Sequence, residues 1–176
     1  MSNIKRNSQE VTTGSIATKR YFTYANYQEG DFMEGTTIGF IGTGNMGRAL
    51  IEGILAKGIF KPSSVATYDV VKEKAQELAE TFGVRVCESL KELVSLSRII
   101  VIAVKPQNVS EVLQDIKHHI AENTLVVSIA AGISLKFLED RLPERTPIVR
   151  VMPNTPALVL HGTSVLARNR HVSNEA

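Results

Sequence analysis

Tryptophan is absent from this chain of 176 residues, cysteine occurs once, and neither sign of charge prevails. Each shortage excludes something. The lone thiol, Cys87, can form no internal disulfide and no multi-cysteine metal centre, and it sets the expectation of a reducing, cytoplasmic compartment. Twenty Lys+Arg against 18 Asp+Glu leave a net charge of +2, which gives no reason to expect nucleic acid as a partner. No apolar run approaches the ~18–20 residues that cross a bilayer, so no membrane partner is expected. What is present is ordinary for a globular protein: 43% apolar and 22% charged residues. The length suits one domain of about 100–150 residues plus an appendage, and is too short for a large two-domain enzyme.

The appendage is expected at residues 1–35. This stretch is rich in hydroxyls, including Ser2, Ser8, Thr12, Thr13, Ser15 and Thr18, and then gathers Tyr21, Phe22, Tyr24 and Tyr27. No sustained helical or alternating pattern runs through it. It reads as a flexible or artificially added extension. The alternative is an organelle transit peptide, which would make the location mitochondrial, although its first twenty residues hold two arginines and no clear amphipathic stripe.

From Thr36 the pattern tightens into alternating strands and helices. Strands are expected at 36–41, 65–69, 84–87, 99–104, 125–129 and 148–152, with an edge strand at 163–167. Helices are expected at 45–57, 72–82, 109–120 and 134–142, with a short one after Ser89. Gly58 and Gly83 are placed to stop the first two helices, and Ser89 with Glu92 forms a capping-box pattern. Ile99–Val104 is apolar without interruption, as in a strand buried on both faces of a parallel sheet. Strands alternating with helices imply right-handed crossovers. The fold class is therefore α/β, a doubly wound, mainly parallel Rossmann sheet of about six to seven strands with helices on both faces, over residues 36–168. Residues 169–176 are polar and read as the start of a linker.

The loop Gly42-Thr43-Gly44-Asn45-Met46-Gly47 fits G-x-G-x-x-G. In that pattern the first glycine permits a tight turn, the second lets backbone approach a pyrophosphate, and the third lets the helix pack closely on the strand. The helix N-terminus then offers unpaired N–H groups to the phosphates. An ordinary strand-to-helix turn can share the hexapeptide, but here a strand precedes it and a helix follows. Asp69 lies 22 residues past Gly47, at the end of the second strand. A carboxylate there accepts from the adenosine ribose and repels a 2′-phosphate, which favours NAD over NADP. An aspartate that merely shapes the loop after a strand is the alternative.

Four segments in order narrow the field: Ile38 to Met46, Ala103-Val104-Lys105-Pro106-Gln107, Val127 to Ile133, and Arg150 to Ala157 followed by Gly162-Thr163-Ser164. Together they resemble the pyrroline-5-carboxylate reductases over residues 36–168. The resemblance implies hydride transfer from NAD(P)H to the C=N bond of 1-pyrroline-5-carboxylate, a small imine, to give L-proline. It implies that Ile41, Gly42, Thr43, Gly44, Asn45, Met46 and Gly47 surround the diphosphate, with Asp69 at the ribose. Ala103, Val104, Lys105 and Pro106 would follow the central ribose and nicotinamide, Ala131 and Gly132 would lie near the nicotinamide, and Asn154 and Thr155 on the substrate side. It also implies a following helical domain that forms a homo-oligomer and supplies the carboxylate grip and the hydroxyl beside the imine.

No convincing proton donor stands out in this chain, so no residue is assigned a catalytic role. Lys105 could act as a general acid or Schiff-base amine, but in a Val-Lys-Pro turn it reads as an exposed charge beside a backbone contact. His118-His119 reads as a solvated helix end rather than a metal site, since no third ligand is in view, and no metal is expected. Cys87 reads as packing. Two functional readings stand: the cofactor half of a reductase, inactive alone, or a free-standing NAD(P)-binding module or non-catalytic paralogue. A third, reduction of a different substrate, stays open, because substrate contacts are expected largely outside this chain.

Overall fold

The computed structural model describes residues 37–153 and 164–173. The leader, residues 1–35, and the substrate-side candidates Asn154 and Thr155 lie outside them. The described chain runs β1 (Ile38–Ile41), α1 (Asn45–Ala56), β2 (Val65–Tyr68), α2 (Lys72–Phe82), β3 (Arg85–Val86), α3 (Leu90–Leu96), β4 (Ile99–Ile102), α4 (Val109–Ile116), β5 (Leu125–Ser128), α5 (Leu135–Glu139), β6 (Ile148–Pro153) and β7 (Ser164–Arg168). All seven strands form one sheet in the order β3-β2-β1-β4-β5-β6-β7. Every neighbouring pair is parallel except β6 and β7, which are antiparallel.

Alternation along each strand divides the core between the two faces of the sheet. Phe40, Val65 and Val101 join Ile51 of α1 and Leu78 of α2 on one side. Ile41, Ile100, Ile102, Val126 and Ile148 meet Leu93 of α3, Val109, Leu113 and Ile116 of α4 and Leu138 of α5 on the other. A sheet clad on both faces explains the uninterrupted apolar run at β4, where Ile100 and Ile102 serve one cluster and Val101 the other.

Helix ends follow the local chemistry. α1 closes with Gly58 N–H to Leu55 O at 3.0 Å and Ile59 N–H to Ile54 O at 2.9 Å, the paired bonds of a Schellman turn. Two helices are shorter than the sequence suggests. α4 stops at Ile116 rather than 120, because His119 N–H turns back to Ile116 O at 2.8 Å in a tighter turn. α5 stops at Glu139 rather than 142, where Arg141 N–H turns back to Leu138 O at 3.1 Å in a tighter turn, and Pro143 then disfavours helical backbone at Leu142. β4 ends at Ile102, although Ala103 N–H still donates to Ile41 O at 2.8 Å.

The residues expected to open a linker are tied down at their start. Asn169 is buried, accepts from Ile148 N–H at 3.1 Å and donates to Thr146 O at 2.9 Å. Val172 is buried beside it. Among the described residues no helix is long and apolar enough to cross a membrane.

Candidate cofactor-binding site

Strand register brings the sequence-separated motifs to one rim. Ile41, the last residue of β1, pairs with Tyr68 of β2 and with Ile102 of β4. Ile102 pairs in turn with Ser128 of β5. The glycine loop, Asp69, Ala103–Pro106 and Ala130–Gly132 therefore leave the sheet side by side, at the carboxyl ends of parallel strands. β1 and β4 are also where the strand order reverses, and a crevice opens at such a switch point.

The three glycines of the loop meet different constraints. Gly42 has φ +96°, which L side chains rarely adopt, and a Cβ there would lie 2.8 Å from Ala103 O. A Cβ on Gly47 would meet Gly42 O at 2.5 Å and Ala103 Cβ at 3.4 Å, so the start of α1 sits directly on the strand ends. Gly44 differs: a Cβ there would meet nothing within 4 Å. That open space lies before α1, whose first-turn amides have no intrahelical acceptor and whose N-cap carries no side-chain bond. Open space at Gly44, unpaired first-turn amides and a helix dipole fit the diphosphate of NAD(P), which Gly44, Asn45, Met46 and Gly47 would hold. Gly132 also has positive φ, +75°, with open space at its Cβ position.

Asp69 is half-buried and engaged. Its Oδ2 accepts from Thr43 N–H at 2.7 Å and from Thr43 Oγ at 2.8 Å, while Oδ1 accepts from Val71 N–H at 2.9 Å. Burial pushes this carboxyl's pKa up, but the two Thr43 bonds, the Val71 bond and nearby Lys74 outweigh it. The result lies below the ordinary 3.8, and the group is charged at neutral pH. Asp69 stands just past the end of β2, and its bonds to Thr43 and Val71 shape the loops there. The tie to Thr43 was not legible, because nothing local to either residue announces a partner 26 positions away.

The remaining candidates fall out more simply. Ala103 and Val104 are half-buried, whereas Lys105 and Pro106 are exposed, with Lys105 O accepting from Asn108 N–H at 2.9 Å. Ala131 and Gly132 are exposed at the same rim. Cys87 is buried, and burial pushes its thiol up to about 11, far from a reactive thiolate. Among the described residues no group of three His, Cys, Asp or Glu side chains could hold a metal ion. Gly39 was not singled out from the sequence. A Cβ there would overlap Ser97 and Leu93 of α3, so it sets how closely that helix approaches β1.

A doubly wound sheet, a glycine loop at the switch point and an acid just past β2 define the class of dinucleotide-binding domains. The chain belongs to the family described as NADP oxidoreductase, coenzyme F420-dependent, whose model matches residues 37–132. Its relatives include pyrroline-5-carboxylate reductases. Those of Methanosarcina acetivorans and Escherichia coli are both 41% identical, over 81% and 78% of this chain and 53% and 51% of their own. The solved reductase of Coxiella burnetii superposes with a TM-score of 0.76 at 31% identity, over 80% of this chain and 52% of that one. The pyrroline carboxylate reductase of Plasmodium falciparum, solved with NADP bound, gives 0.72 at 34% identity, over 81% and 52%. The chain spans about half the length of the relatives it matches.

Proposed function

We propose that this chain is the cofactor-holding half of a pyrroline-5-carboxylate reductase, and that it takes NADH in preference to NADPH. One observation carries the reading: the open cradle at Gly44, set between β1 and β4 and backed by the free amides of α1. The bound dinucleotide would supply hydride to the C=N bond of 1-pyrroline-5-carboxylate, giving L-proline. The chain's own work is binding and orientation. Amides from Gly44 to Gly47 hold the diphosphate, and the backbone from Ala103 to Pro106 lies along the central ribose. Ala131 and Gly132 stand by the nicotinamide, and Asn154 and Thr155, outside the described residues, are assigned to the substrate side on the resemblance of their motif alone. Asp69, charged at neutral pH, disfavours a 2′-phosphate at the rim of β2. The proton donor and the carboxylate grip come from outside this chain, in a homo-oligomeric whole. A reducing, cytoplasmic setting suits its one buried thiol.

The test is a chimera in which this chain replaces the matching half of the Escherichia coli relative. It should form proline from 1-pyrroline-5-carboxylate with NADH, while the chain alone binds NADH without turnover. Binding without turnover in the chimera as well would leave only a dinucleotide-binding module. Absence of saturable binding to either dinucleotide would remove the cofactor reading altogether.

A further inference from the structure

Thr43 stands at the first variable position of the glycine loop, where its N–H and hydroxyl could both be offered to phosphate. Neither is. The side chain is buried, and both donors are spent on one oxygen of Asp69, at 2.7 and 2.8 Å. That oxygen has two acceptor directions, so Thr43 fills it. Val71 N–H takes one direction of the other oxygen. Three of roughly four acceptor sites of Asp69 are thus occupied from within the chain.

The contact also crosses the sheet. Thr43 follows β1 and Asp69 follows β2, and Gly42 N–H donates to Tyr68 O at 2.8 Å just beneath them. The pair therefore extends the β1–β2 ladder by one side-chain rung beyond the last backbone rung. Gly44, immediately after Thr43, has open space at its Cβ position and is tied to α1 through its carbonyl, which accepts from Arg48 N–H at 2.9 Å, so the strap fixes the other side of the loop.

We propose that Thr43 is a positioning residue, which straps the glycine loop to Asp69 and so presets the diphosphate cradle for NADH and NADPH alike. Selection between them belongs to the Asp69 charge, and loop order to the Thr43 hydroxyl. This rests on the dinucleotide reading above, yet the strap itself can be tested in the cofactor-free chain.

Hydrogen exchange is measured on the full chain, wild type and Thr43→Val, a near-isosteric change that replaces the hydroxyl with a methyl group and keeps the Thr43 backbone N–H. Exchange at the bonded amides on either side of Gly44, Thr43 N–H on Asp69 and Arg48 N–H on Gly44 O, should quicken by about tenfold, the scale of one hydrogen bond to a charged group. Thr43→Ser keeps the hydroxyl and should exchange at the wild-type rate. Titration should then show Kd for NADH and NADPH rising by the same factor in Thr43→Val, while Asp69→Asn moves their ratio toward NADPH. Wild-type exchange in Thr43→Val, exchange in Thr43→Ser as fast as in Thr43→Val, or a changed cofactor ratio in Thr43→Val would each overturn the proposal. If neither dinucleotide binds the wild type, the cofactor reading fails, while the exchange comparison still decides the strap.

Discussion

Gly44 and Gly47 lie three positions apart in one loop, yet the structure sets opposite penalties on replacing them. Gly44 has ordinary extended backbone, φ −65° and ψ −178°, and empty space where a side chain would go. Gly44→Val should leave Tm nearly unchanged while filling the cradle, so NADH titration should lose saturable binding. Undiminished binding would put the diphosphate elsewhere. Gly47→Ala pushes a methyl group against Gly42 O and should cost about 1–3 kcal/mol in urea unfolding, the range for overpacking. Asp69 adds a pH dependence of definite sign. Its pKa is lowered on folding, so its contribution to stability is present above the ordinary value of 3.8 and is lost as pH falls below it. Asp69→Asn should therefore reduce Tm at pH 7, and its deficit against wild type should shrink as pH falls below 3.8 and through the lowered folded value.

The same division between local and distant causes appears at the scale of elements. α2 runs over Lys72–Phe82, as its apolar spacing predicts, and stops at Gly83. α3 begins where the capping box predicts, with Ser89 Oγ accepting from Glu92 N–H at 3.1 Å. The reciprocal arm departs from the sequence pattern. Glu92 accepts from Glu88 N–H at 2.9 Å, one residue before the cap, and pairs with Arg85 at 2.8 Å. Removing the hydroxyl with Ser89→Ala should cost about 1 kcal/mol, the usual value of an N-cap, seen as a lower urea midpoint at constant m. Periodicity overextends α4 and α5 because Ile120 and Leu142 are correct for an apolar stripe. Ile120 packs against the same cluster from a turn, and Leu142 is buried beyond the helix end. An apolar period records which residues go inward; it does not record which hydrogen bonds close the last turn.

For the whole molecule, the cladding of the sheet is uneven. Val165 and Leu166 of β7 and Met152 of β6 are 57%, 62% and 44% exposed, so an antiparallel pair at one edge presents apolar side chains to solvent. Among the described residues no strand lies beyond β7, and an apolar edge of this kind invites pairing with another chain. Leu166→Lys should lower self-association, read as a smaller weight-average sedimentation coefficient at high concentration, with Tm unchanged. Equal association in the variant would mean that another surface drives it.

The sequence by itself determined the class of fold, the glycine loop with its helix, and the place of Asp69 at the end of β2. Each depends on contacts within a few residues or on a period that repeats along one element. Tertiary structure alone decided that Gly42 abuts Ala103, that Gly39 admits α3, and that Asp69 spends its carboxylate on Thr43. Those facts depend on strand order. Once β1 lies between β2 and β4, residues 26 and 61 positions from the glycine loop become its neighbours, and no local pattern encodes that distance. Linear order supplied the parts of the cradle; the sheet supplied their adjacency.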